Sequence, residues 1–305
     1  MNTDPLAAVA DTPTLIDWLS AAGISAGLIA LALLLAAGVL HNLRRVGLGG
    51  LSEWFCRAPG LDLWILYYTI LPLVAGPLLV AWLTLNAGDP AEAGGPWAAV
   101  LVGLLAAIAG QVVSLVIWVR VHETIHREAT RGPRLVSQLN RTVGPLRNHA
   151  AVWWTALAVP VFAIVRVAEV VVYPPLTWMV RLPKYRTADW VNVSRHKFDG
   201  LVGHDLIWCL YCDWMTGVWS LGTEMLRNIE SFWCPIRFRS DKKCANCAID
   251  FPDLDGGWAP ADGDMRDAVA ALDKHYPGPG GTNPWFGHPA RLTVEGETLN
   301  PSEER

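Results

Sequence analysis

Apolar residues gather in long unbroken runs in the first half of the chain and thin out in the second. Residues 18–40 are uncharged throughout, and at about 1.5 Å of rise per helical residue such a run crosses about 30 Å of hydrocarbon. It predicts a membrane helix. A second run covers 63–85 and contains Pro72 and Pro77, which a membrane helix tolerates where neighbours re-satisfy the freed carbonyls. A third covers 97–119, broken only by Gln111 and Ser114.

A fourth apolar stretch, 150–180, is different in kind. It holds Arg166 and Glu169, spaced to pair along one helical face, together with Pro160, Pro174 and Pro175. It either spans the membrane or is re-entrant at the interface. The basic flank that follows (RLPKYR, then SRHK) favours the second alternative. The expected fold class is therefore mainly α: a polytopic membrane helix bundle of three or four spans over 1–180. A small, irregular, α-rich metal-binding domain would follow over 181–305, water-facing and Cys-rich, ending in an extended strap. Within that tail, 264–276 reads as a short amphipathic helix begun by an acidic turn. The turn-rich end, with Trp285, Phe286 and His288, needs a surface to lie on, on its own domain or on a partner.

Charge sets the expected orientation. The 41–61 segment is basic (Arg44, Arg45, Arg57), the loop after the second run is acidic (Asp89, Glu92), and 120–147 is strongly basic. The positive-inside rule puts both basic segments in the cytoplasm and the N-terminus outside. The residues ahead of the first run are acidic and lack a basic n-region, so that helix is expected to be a retained anchor. The expected location is a bacterial-type inner (cytoplasmic) membrane, multi-pass, with the Cys domain cytoplasmic.

Composition agrees with a membrane protein. Charged residues make up 17% of the chain, against about 25% in soluble domains, and 16 tryptophans suit an interface between apolar and wet surfaces. A net charge of -4 gives no basic surface for nucleic acid. Gly47, Gly49 and Gly50 follow a membrane helix rather than a strand, the wrong context for a nucleotide cradle. Lipids and other membrane subunits are the expected partners.

Two constellations carry chemistry. Cys209, Cys212, Cys234, Cys244 and Cys247 form two C-x-x-C pairs around a Cys-Pro. Thiolates two residues apart converge within a tight turn, and two such turns supply the four sulfurs that zinc accepts. The same sulfurs suit an iron-sulfur cluster. Disulfides in an exported domain, a thioredoxin-like redox pair and inert buried thiols are the competing readings. The redox reading wants a strand before the pair, whereas 204–233 looks helical. The tryptophans around the cysteines (Trp208, Trp214, Trp219, Trp233) read as core, and His204 as a substitute ligand or a polar group at a helix start.

The second constellation is His122-Glu123-Thr124-Ile125-His126, an H-E-x-x-H sequence just beyond the third run. On a helix its imidazoles share a face, and Glu123 is the candidate general base for a zinc-bound water. The competing reading is a charged helix end with Glu123 and Arg127 as an ordinary pair. His41, His122, His126 and His149 all fall at one expected depth, where helices can build a second metal or haem site. Three functions follow as expectations: a metalloprotein acting as an accessory or electron-transfer subunit, a membrane zinc hydrolase, or a scaffold stapled by metal.

Overall fold

A computed structural model describes residues 13–85, 95–198, 200–233, 236–237, 256–276, 285, 291–292 and 298–299. The described chain is mainly helical, and four of its helices are long and apolar enough to cross a membrane. They are α1 (Leu15–Asn42), α2 (Gly60–Leu85), α3 (Gly95–Ile125) and α5 (Pro145–Met179), with a shorter α4 (Leu135–Val143) between the last two. Beyond them lie α6 (Gly203–Trp233) and α7 (Met265–His275). This set is compatible with a multi-pass membrane protein. The fourth stretch has the length of a span, although a turn at 157–158 and a π turn at Ala168–Val172 interrupt it.

Two of the helices begin on a local cap. Thr14 caps α1, its hydroxyl receiving the Asp17 N–H while Asp17 reaches back to Thr14. Asp264 and Asp267 make the same reciprocal cap on α7, as the acidic turn there predicts. α3 continues beyond the apolar run to Ile125, and so carries His122 and Glu123 on a rigid element.

The chain forms two compact units. The first comprises residues 1–153 with 192–211. Within it α3 packs on both α1 and α2 through small residues. A methyl group on Gly103 would overlap the backbone of Pro77 and Gly76, and one on Gly110 would meet Ala26 O. Ala106 and Ala107 complete a close helix approach of the kind membrane interfaces use. Pro72 has no N–H, which leaves the Tyr68 carbonyl without its helical partner. Gln111 Nε2 donates to that oxygen at 2.7 Å and to Thr69 O at 3.0 Å. The polar interruption of the third run thus answers the proline of the second. Residues 192–211 join this unit through Val193 N–H to Cys56 O at 2.9 Å and a bridge between Arg57 and Asn192.

The second unit comprises 154–191 and 212–305. Arg166 and Glu169 pair there at 2.6 Å, both buried, as their spacing predicts. Trp285 from the strap is fully buried: its indole N–H donates to Ser231 O at 2.8 Å and Arg237 lies over its ring. That tryptophan therefore packs on its own unit. Phe286 and His288 lie outside the described residues.

Glu224 sits in this unit beside Tyr185 and Arg227, with 4% of its side chain exposed. Burial pushes its carboxyl up to about 6 against the pull of Arg227. A raised carboxyl pKa means that the folded state binds a proton the unfolded state has released. Stability should accordingly fall as pH rises from about 4.5 to 6 and stay lower above. Glu224→Gln is expected to remove that step and to gain about 2 kcal/mol at pH 7, read from unfolding curves at pH 4.5, 6 and 7. A pH step equal to that of the wild type would rule out Glu224 as its source.

Candidate functional site

Three of the four expected histidines meet at one end of the first unit. His41 ends α1, His122 lies in the last turn of α3, and His126 follows one turn later, its N–H bonded to His122 O at 3.0 Å. Their ring centres are 5.5 Å (His41–His122), 6.0 Å (His41–His126) and 4.4 Å (His122–His126) apart. Trp118, one turn earlier on the same row of α3, stacks on His122 at 4.6 Å. Residues four apart on a helix share a face, which is why 118, 122 and 126 line up.

The remaining bonds of His122 decide what it can do. Its Nδ1 receives the Gly203 N–H at 3.2 Å, so in the neutral ring the proton belongs on Nε2, the nitrogen a metal would need. His126 Nε2 is buried and has no hydrogen-bond partner among the described residues. His149 does not join the trio. It packs edge-on to His204 with ring centres 5.3 Å apart, and Trp208 Nε1 donates to His204 Nε2 at 3.1 Å. His204 is thus a residue of a helix start.

Glu123 faces a second, ionic cluster. Arg134 Nη2 donates to its Oε1 at 2.9 Å, and the His204 N–H approaches the same oxygen at 3.4 Å. Arg127 is not its partner. Arg134 also reaches Val202 O at 3.2 Å and, through Nε, Asp205 Oδ2 at 3.2 Å. Asp205 in turn receives the N–H groups of Leu135 and Val136, both at 3.0 Å, which open α4. The arrangement is reciprocal: α3 side chains receive the first N–H groups of α6, while an α6 side chain receives those of α4. Each satisfies donors that a helix start leaves without partners. Gly203 is required at this crossing, because its φ of +56° is left-handed and a side chain there would run into the Glu123 carboxyl.

Electrostatics agree with this clamp. Burial works to raise the Asp205 pKa, but the contacts from His204 and Arg134 outweigh it and hold the carboxyl below its usual range. Sequence reasoning does not single out Arg134 or Asp205: Arg134 enters only as part of the basic 120–147 segment, although an acid in the first turn of a predicted helix, as Asp205 is, is a recognisable capping signal.

The cysteines divide. Cys209 and Cys212 are half-buried and stand three positions apart on the continuous helix α6, rather than in a tight turn. Cys234, Cys244 and Cys247 lie outside the described residues. Among the described residues no group of three or more His, Cys, Asp or Glu side chains is placed to hold a metal ion. Comparison with protein families, curated proteins and solved structures gives no match. The groups gathered at this end of the first unit are two imidazoles, His41 and His126, beside a third bonded to Gly203, and a carboxylate held by arginine.

Proposed function

We propose that the protein is a metal-carrying accessory or electron-transfer subunit of a bacterial-type inner-membrane assembly, in which the H-E-x-x-H sequence is a structural clamp. One observation carries the clamp: His122 and Glu123 both receive backbone N–H groups from the start of α6. A zinc hydrolase needs an imidazole lone pair for the ion and a carboxylate free to take a proton from bound water. Here the first is turned to Gly203 and the second is tied to Arg134. The zinc or iron-sulfur site is assigned to Cys209, Cys212, Cys234, Cys244 and Cys247 on their spacing. The orientation, with the N-terminus outside and 41–61 and 120–148 cytoplasmic, rests on the loop arginines, and the Cys region is cytoplasmic on the reading that 150–180 is re-entrant rather than spanning.

Glu123→Gln tests the clamp. The expected result is a loss of about 1–3 kcal/mol in unfolding free energy with the metal content of the purified protein unchanged. Unchanged stability with loss of a zinc-dependent hydrolysis would overturn the reading and restore the enzyme.

A second reading draws on the histidines. The 6.0 Å between the His41 and His126 ring centres is about 1 Å beyond the ~5 Å expected of imidazoles sharing one tetrahedral ion. His41 and His126 would be its ligands, completed from outside the trio, because His122 is bonded to Gly203. Elemental analysis separates the two. Metal kept in His41→Ala/His126→Ala and lost in Cys209→Ala/Cys212→Ala supports the cysteines; the reverse places it at the histidines.

A further inference from the structure

Helix α4 is nine residues long and stands between two membrane-length helices, α3 ending at Ile125 and α5 beginning at Pro145. One face is held to the protein. Val136 N–H is taken by Asp205, and Asn140 Oδ1 receives Asn148 Nδ2 at 2.8 Å, Asn148 being buried. Along the adjoining side run Leu135, Leu139 and Val143, spaced four apart, with Leu146 following, and these are 48%, 40%, 48% and 82% exposed. A row of aliphatic side chains is costly to leave in water, and this one is fixed beside the ends of two apolar helices of membrane length. Around it Arg120, Arg127, Arg131, Arg141 and Arg147 are all exposed. Residues 120–148 hold six arginines against two glutamates. Of those two, Glu123 is turned inward to Arg134 and Glu128 pairs with Arg131 at 2.9 Å.

Short helices with a strong polar face, an apolar row and nearby basic residues lie in the plane of a membrane interface, and anionic headgroups strengthen their hold. We propose that α4 is such an interfacial helix. Leu135, Leu139 and Val143 enter the headgroup–acyl boundary of the membrane that the spans cross, and the exposed arginines bind anionic phospholipid. The proposal needs no metal site, and it holds whether or not the accessory-subunit reading does.

The test is amide hydrogen exchange of the full-length protein over 135–143. It compares nanodiscs of phosphatidylcholine with nanodiscs that also contain phosphatidylglycerol. Exchange at least tenfold slower in the anionic discs is expected, with Arg141→Gln/Arg147→Gln erasing the difference. Leu139→Asp should exchange fast in both. Equal exchange of the wild type in the two discs, or a difference that survives in the arginine double variant, overturns the proposal. Unchanged protection of α1–α3 amides is the folding control. Should Leu139→Asp fail it, the arginine variant carries the test, since both arginines are exposed.

Discussion

Replacing Asp205 by alanine is expected to cost about 3–5 kcal/mol of unfolding free energy, the largest effect of any single polar substitution in the first unit. The carboxylate is 6% exposed and takes three donors at once: Arg134 Nε and the N–H groups of Leu135 and Val136. Truncation leaves Arg134, itself only 13% exposed, with one carboxylate instead of two, and strips the start of α4 of its cap. Asp205→Asn keeps much of the shape without the charge and should lose less. The pH dependence has a definite sign. Because the folded-state pKa is lowered, the stabilisation is fully present above the ordinary carboxylate range and is lost as pH falls below it. Unfolding in detergent, followed by circular dichroism at pH 7 and pH 3, measures both. A loss below about 1 kcal/mol, the value of an exposed ion pair, would remove Asp205 from the clamp.

Gly103→Val is expected to be comparably damaging by an opposite mechanism. A side chain at 103 has no room, since even its first carbon would overlap the Pro77 and Gly76 backbone. α2 and α3 must then separate, which costs about 1–3 kcal/mol for ordinary overpacking and more where the obstacle is backbone. It also exposes the Gln111 bond to Tyr68 O that closes the proline break. Gly38→Ala is the control: nothing lies within 4 Å of that added methyl group, so a neutral or slightly stabilising result is expected. Thermal unfolding and elution profile in detergent distinguish the two variants. A Gly103→Val protein as stable as the Gly38→Ala control would mean that the two helices do not pack through this crossing.

Much of the fold was legible along the chain because its cause is local. Length and uninterrupted apolar character define a membrane helix whatever surrounds it, and 18–40, 63–85 and 97–119 fall inside α1, α2 and α3. The Arg166–Glu169 pair and the caps of α7 are likewise interactions between residues three or so apart. Legibility stopped where partners are distant in sequence. His41, His122 and His126 were grouped by depth, but depth could not separate them from His149, whose partner His204 lies 55 residues further on.

The H-E-x-x-H sequence shows the same divide most sharply. Helical spacing alone determined that His122 and His126 share a face. Whether Glu123 would meet a water or an arginine depended on where residues 134 and 203–205 come to rest. The sequence by itself determined an apolar helical protein with spans of defined extent, a basic loop set and a cysteine-bearing second half. Only the tertiary structure decided that 192–211 belongs to one unit with the first three membrane-length helices, that Gln111 answers Pro72, and that the acid of the catalytic-looking motif holds the start of another helix. The physical reason is the same in each case: a buried donor or charge takes whichever partner the packing brings within about 3 Å, and that choice is not written in its near neighbours.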